Sequence, residues 1–391
     1  MGEKNVGLYI HIPFCKHKCE YCDFKSYAGK ENLIDTYIKW LKHEIQEVGE
    51  GNRWDYQNNI DDLAIVKTIY IGGGTPSFID EEHIKQIIET IRKFYTTHKD
   101  VEITIEVNPG TVNNSKLETY KETGINRISI GLQSTHNKLL KEMGRIHTFE
   151  QFLETYNLAR KIGFENINVD LMLGLPSQSK QELEESLKEI IKIQPEHISI
   201  YSLIVEEGTP FYNKLLRNEL KLPDESLERE MYWKTKRMLE NEGYVHYEIS
   251  NFAKLGNESK HNLDCWNQKE YVGFGVAAHS YIDDVRYGNI GNVEEYIKNC
   301  ENGEFGKNKV IDEVENDIFS KEKEFMLIGL RKIEGVLIQD FKNKFGENPI
   351  FVFKDELKKL VDENLLIVDF DRIKLTNKGL DLANIVWKNF V

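Results

Sequence analysis

The hydrophobic positions of this chain follow two periods in turn, and the alternation repeats. Short apolar runs at Leu8 to Ile12, Thr68 to Ile71, Ile103 to Val107, Arg127 to Gly131, Ile167 to Met172 and His197 to Leu203 have the length and β-branched content of buried strands. Between them the apolar residues fall three and four positions apart. Ile34, Tyr37, Ile38, Leu41, Ile45 and Val48 mark one helix face, and further helices are expected over 80–94, 115–123, 137–142, 149–162 and 181–193. Six strands alternating with helices predict parallel crossovers, whose shared right hand curls the sheet. The loops at the strands' carboxyl ends then open on one mouth, where α/β proteins bind ligands.

Residues 49–62 are polar and expected to be irregular. Downstream the pattern changes. A helix is expected over 226–242, a strand over 244–253, and an extended segment over 271–280, where glycines alternate with apolar residues. From 317 on, helices near 318–331, 337–345 and 350–363 precede two strands at 365–368 and 373–375 and a last helix to Trp387, the order of a winged-helix-like module. The expected organisation is an α/β chain in three parts: a partial (β/α)6 barrel over 1–225, a connecting α+β region over 226–310, and a winged-helix-like domain over 311–391.

Composition narrows the partners. Hydrophobic residues at 40% and charged residues at 30% are ordinary for a globular protein, and the formal net charge is −14. A nucleic-acid backbone is repelled by such a chain. Winged-helix modules often bind DNA, but residues 311–391 carry 13 basic against 16 acidic side chains, which points to a lid or a protein contact. No secretory leader and no run approaching the ~20 apolar residues of a membrane span is present, so a cytoplasmic protein is expected. Five cysteines, an odd number, fit a reducing compartment better than a disulfide framework.

Three of those cysteines, Cys15, Cys19 and Cys22, sit within eight residues just after the first strand. Thiolates at this spacing on a tight loop converge on a soft metal centre, and an iron–sulfur cluster held by three of them leaves one iron open. Two other readings stand beside it: a zinc site completed by His11 or His17, and a redox pair made of Cys19 and Cys22. Other chemically notable residues close the remaining strands: Gly72-Gly73-Gly74-Thr75, Glu106, Gln133 and Asp170. A carboxylate at the end of an apolar strand is costly to bury unless a donor or cation meets it, so Glu106 and Asp170 are candidate ligand contacts.

Cys-x3-Cys-x2-Cys with Tyr21 before the last cysteine resembles the radical S-adenosylmethionine superfamily. The words Tyr-Ile-His-Ile-Pro-Phe-Cys and Cys-Asp-Phe resemble its oxygen-independent coproporphyrinogen oxidase group, and within that the HemW-type haem chaperones. The resemblance implies a 4Fe-4S cluster on Cys15, Cys19 and Cys22, with S-adenosylmethionine on the open iron. It further implies contacts to that cofactor from Tyr9, Gly74, Thr75, Glu106, Gln133, Arg145 and Asp170. Arg145 is then the partner of the cofactor's carboxylate, since a guanidinium meets a carboxylate in a bidentate fork.

The group's His-Asn-x-x-Tyr-Trp word, associated with haem, stands here as His261-Asn262-Leu263-Asp264-Cys265-Trp266, with Cys265 in place of Tyr. The resemblance implies haem as a further cofactor, with His261, and secondarily Cys265, as its contacts. It implies two protein partners as well, a haem acceptor and an electron donor. Phe24 occupies the position of the oxidase's fourth cysteine, and only 14 residues precede Cys15, which favours the chaperone over the oxidase. The alternatives are a radical enzyme acting on a tetrapyrrole, such as coproporphyrinogen III, and a zinc-stabilised binding module. No catalytic residue is assigned.

Overall fold

A computed structural model describes residues 5–51, 64–311 and 317–391; most of the segment expected to be irregular, from 52 on, lies outside the described residues. Six parallel strands run in sequence order: β1 (Asn5–Ile12), β2 (Ile65–Gly73), β3 (Thr96–Val107), β4 (Arg127–Gln133), β5 (Asn166–Leu173) and β6 (His197–Ser202). They are joined through α1 (Ile34–Gly49), α2 (Glu81–Phe94), α3 (Asn114–Glu122), α4 (Asn137–Glu142), α5 (Phe149–Ile162) and α6 (Lys180–Ile193). The helices begin where side chains cap them. Asp80 accepts from Glu82 N–H, and capping boxes at Thr148/Gln151 and Ser179/Glu182 open α5 and α6.

Each strand shows two faces. On β1, Leu8, Ile10 and Ile12 are fully buried in one core with Tyr37, Ile38 and Leu41 of α1, whereas Tyr9 turns inward and stacks on Tyr70 of β2. The outer face is therefore apolar and the inner face largely polar. β6 does not pair with β1, so the barrel stays open.

The downstream region joins both edges of the same sheet. After α7 (Pro210–Leu216) and α8 (Glu225–Asn241), the single strand expected over 244–253 is a hairpin instead: β7 (Val245–Glu248) and β8 (Asn251–Ala253) pair antiparallel, with β8 against β6. The chain folds back because Glu248 caps its own turn, accepting from Ser250 N–H at 2.9 Å. After α9 (Lys260–Trp266), β9 (Tyr271–Phe274) pairs parallel with the outer edge of β1. Then β10 (His279–Ile282), β11 (Val285–Asn289) and, after α10 (Val293–Glu301), β12 (Lys309–Ile311) continue that edge antiparallel, giving a twelve-stranded sheet. Buried Met231, Leu239, Phe274 and Tyr296 share the barrel's core.

The C-terminal module comprises α11 (Ile318–Gly329), β13 (Val336–Leu337), α12 (Ile338–Phe345), α13 (Pro349–Val352), α14 (Lys354–Asp362), β14 (Leu366–Val368), β15 (Arg372–Leu375), α15 (Asn377–Asp381) and α16 (Ala383–Trp387). Its strands form a separate sheet, β13-β15-β14, over a core of its own that includes Met326, Phe341, Phe353, Leu360 and Ile373. The helix expected over 350–363 breaks at Phe353, whose ring turns in against Phe341 and Phe390. The two-residue strand β13 is too short to leave a periodic signal. No helix among the described residues is long and apolar enough to cross a membrane.

Candidate cofactor site

The cysteine loop leaves β1 and is fixed at both ends by backbone hydrogen bonds, Cys15 N–H to Tyr27 O at 2.9 Å and Tyr27 N–H to Pro13 O at 2.7 Å. Its middle is held from the side. Glu20 N–H reaches Met143 O, Phe211 N–H of α7 reaches Glu20 O, both at 3.0 Å, and the Glu20 carboxylate pairs with Lys214. Gly72-Gly73-Gly74 serves this loop. Gly73 has φ +113°, and a Cβ there would lie 2.5 Å from the His11 ring; at Gly74 it would lie 3.0 Å from Cys15 Sγ. Only glycine lets the end of β2 approach so closely.

A cavity of about 400 Å³ opens at the strands' carboxyl ends, and Cys15, Cys19 and Cys22 line one side of it. Thr75 Oγ1 donates to Cys15 Sγ at 3.4 Å, and Arg145 Nη1 to Cys19 Sγ at 3.6 Å. Arg145 is braced further: Nη2 donates to Asn108 Oδ1 at 2.8 Å and to Gly131 O, while its buried Nε has no partner. All three thiols thus face one space, and two of them receive side-chain hydrogen bonds, while burial raises Cys15 and Cys22 above the ordinary thiol range.

Glu106 and Asp170 form the floor. Glu106 accepts from Tyr70 OH at 2.9 Å and Gly73 N–H at 3.1 Å; Asp170 accepts from Asn168 Nδ2 at 2.7 Å and Ser129 Oγ at 3.3 Å. Burial first and the charge of Asp170 second push Glu106 up to about 7, and burial raises Asp170 as well. Gln133 is aimed by a register slip between Gly131 and Gln133 against β5, which leaves it at φ +72°, a left-handed conformation that a non-glycine residue holds only under constraint.

Gly74, Thr75, Glu106, Gln133, Arg145 and Asp170 therefore meet the three cysteines around one cavity. Tyr9 stands behind its wall, with its hydroxyl 3.0 Å from His11 Nδ1, whose other nitrogen is 3.0 Å from Lys25 O. Both His11 nitrogens are thus engaged away from the thiols. His261 lies beneath the floor. Its Nδ1 is 2.8 Å from Thr68 Oγ1, its ring stacks on Tyr70, and burial pulls its pKa down to about 4. Glu102 accepts the backbone N–H groups of Lys260 and His261 at 3.1 Å each, so α9 plugs the inner face of the barrel. Cys265 on α9 does not line the cavity, and burial pushes its thiol up to about 12. Sequence reasoning missed Tyr70, Asn108 and Ser129. The signal was present, since Tyr70 and Ser129 alternate with apolar neighbours on their strands.

The donor set fits an iron–sulfur cluster with an exchangeable ligand beside it: three thiols on one wall, two carboxylates below and one guanidinium above. Among the described residues no three His, Cys, Asp or Glu side chains close around a point as one metal ion demands. The charges suit a molecule that carries ammonium and sulfonium cations together with a carboxylate.

The signature of the radical SAM superfamily matches residues 9–190, and that of the HemN C-terminal domain matches residues 322–382. The heme chaperone HemW of Bacillus subtilis is 38% identical over 98% of this chain and 99% of its own length. That of Lactococcus lactis is 36% identical over 100% of this chain and 98% of its own. Among solved structures, coproporphyrinogen III oxidase (HemN) of Escherichia coli, described as a radical SAM enzyme, superposes with a TM-score of 0.83, covering 99% of this chain and 90% of that one. At 22% identity that likeness is one of fold.

Proposed function

The chain belongs to the HemW group of the radical SAM superfamily, and from that premise we propose that it is a haem chaperone. It binds haem, carries a 4Fe-4S cluster and S-adenosylmethionine, and passes haem to an acceptor protein. The observation that carries this reading is the full-length similarity to proteins named heme chaperone HemW. The radical SAM fold implies a 4Fe-4S cluster and S-adenosylmethionine.

In this reading Cys15, Cys19 and Cys22 hold the cluster, which when bound and reduced supplies an electron to the sulfonium. The chain's own residues bind and orient. Gly74 and Thr75 border the cofactor's amino group, with Thr75 held by Asn108 Nδ2 at 2.8 Å. Glu106 and Asp170 would take its cationic and hydroxyl groups, Gln133 would bound it from β4, and Arg145, bonded to Cys19 Sγ, would pair with its carboxylate. Tyr9 acts one step back, through His11. His261 fixes α9 to the barrel rather than presenting itself to haem. The lining side chains all precede residue 225, so the site belongs to the proposed barrel domain and the 311–391 domain is left for contacts with other molecules. An acceptor protein and an electron donor in the cytoplasm complete the scheme.

Anaerobic purification followed by iron, sulfide and zinc analysis tests the cluster, and zinc without iron overturns it. Added haem should give a stable haem absorbance, and coproporphyrinogen III should remain unconverted. Its conversion would replace this reading with the oxidase. Cys22→Ser should lose the iron yet retain haem, because Cys22 lies at the cavity and haem has no part in the cluster's ligand set.

A further inference from the structure

The polar interior continues below the cavity floor, and one guanidinium there has no ion-pair partner among the described residues. Positions 127, 129 and 131 of β4 share the inner face, and Ser129 pairs in register with Glu106 on β3 and Asn168 on β5. Arg127 therefore lies one pleat repeat, about 7 Å, below the level of Glu106. It is 2% exposed, its Nε has no hydrogen-bond partner, and no described carboxylate forms an ion pair with it. A buried guanidinium left this way persists only where negative potential compensates it.

The groups around Arg127 identify the source of that potential. Towards the mouth stand Tyr9, Tyr70, Glu106, Asp170 and Tyr201, with Arg145 beyond them. Towards the closed end, His197 is fixed between Asn168 Oδ1 at 2.6 Å and Tyr247 OH at 2.7 Å, and His261 is fixed by Thr68. Both imidazoles are held neutral, by burial first and by the charge of Arg127 second. Glu102 is spent on the N–H groups of α9. Glu248, beyond Tyr247, is opposed by Arg331, and Arg127 acts on Glu106 and Asp170.

We infer that Arg127 is a positioning residue for the cavity: acting through space on Glu106 and Asp170, it keeps the floor anionic so that the floor accepts the cationic end of the ligand. The inference rests on the reading above, in which that ligand is S-adenosylmethionine. Two carboxylates buried side by side drive each other towards protonation. Arg127 opposes this on both of them from below the cavity floor.

The test is the affinity of the anaerobically reconstituted protein for S-adenosylmethionine across pH, in the wild type, Arg127→Gln and Arg127→Lys. The wild type should lose affinity as pH falls through the Glu106 transition near 7. In Arg127→Gln the transition should move up by about one unit, which costs about fivefold in affinity at pH 7, about tenfold at acid pH and nothing at alkaline pH, and Arg127→Lys should restore it. Equal weakening at every pH, with the transition unmoved, overturns the inference in favour of a purely structural role. If the wild type binds no S-adenosylmethionine, the cofactor reading fails instead; the carboxyl infrared band of the apoprotein, followed against pH in wild type and variant, still decides the effect of Arg127. Should Arg127→Gln not fold, the double variant Arg127→Gln/Glu106→Gln should recover folding because it removes both opposed charges, and failure to recover overturns the inference.

Discussion

Glu106 and Asp170 show how a few ångströms set the chemistry of a side chain. Each has hydrogen-bond donors, yet burial prevails, and Glu106 titrates near 7 instead of its ordinary 4.5. The folded state then keeps a proton that the unfolded state has lost between those values. Stability is full below pH 4.5 and declines as pH rises to about 7, by up to about 3 kcal/mol. Denaturant unfolding of the apoprotein from pH 4 to 8 should show that slope, and Glu106→Gln should flatten it. Arg145 offers a second test: its bond to Cys19 Sγ withdraws charge from the sulfur. Arg145→Met should keep its iron but move the cluster's reduction potential to more negative values in an electrochemical titration. At this scale the cysteines were legible from spacing alone. The inward placement of Tyr9 and His261 was not, because which face a side chain takes depends on what packs against it.

Among elements, the turn after β2 and the seam beneath α1 bear the most constraint. Glu44 of α1 is completely buried and accepts from Gly275 N–H at 2.8 Å, Tyr296 OH at 2.6 Å, Asn289 Nδ2 at 2.9 Å and Lys309 Nζ at 2.9 Å. One carboxylate thus fastens β9, β11, β12 and α10 to the barrel. Glu44→Ala leaves the Lys309 ammonium buried without its counter-charge and should cost about 3–5 kcal/mol, read as a lower denaturant midpoint. Gly73→Ala adds a methyl 2.5 Å from His11 at a φ that alanine resists. It should lower cluster occupancy after reconstitution, and a variant with full iron content would show that the approach of β2 to the cysteine loop is dispensable. The strands and helices of the barrel were legible because each buries one face and so writes its period into the sequence. The β7–β8 hairpin was hidden, since its two-residue turn, Ile249-Ser250, carries none of the glycine, proline or Asn-Gly signals that mark a reversal in sequence.

At the scale of the whole molecule, many polar contacts join the C-terminal module to the rest: Lys344 reaches Gln268, Tyr281 and Asp284, and backbone bonds run from Ile249 N–H to Arg331 O and from Ile333 N–H to Tyr247 O. Asp381 accepts from Trp233 Nε1 and from Arg229 Nη1, each at 2.8 Å, and Arg286 pairs with Glu324 at 2.7 Å. Asp381→Ala removes two of these, and hydrogen exchange in α11 to α16 should quicken while iron content is unchanged. Faster exchange around the cysteine loop as well would mean that the module supports the barrel's site from a distance.

The amino-acid sequence by itself determined the thiol triad, the succession of strand and helix, and the carboxylates that end the strands, because local spacing and periodicity are properties of neighbouring residues. Only the tertiary structure decided that the region after the barrel completes both edges of one sheet, that α9 plugs the interior with His261, and that Arg127 faces two carboxylates without touching them. Those outcomes depend on register and on long-range burial, where residues as far apart as Glu44 and Lys309 meet in the same space, and no short window of sequence records that meeting.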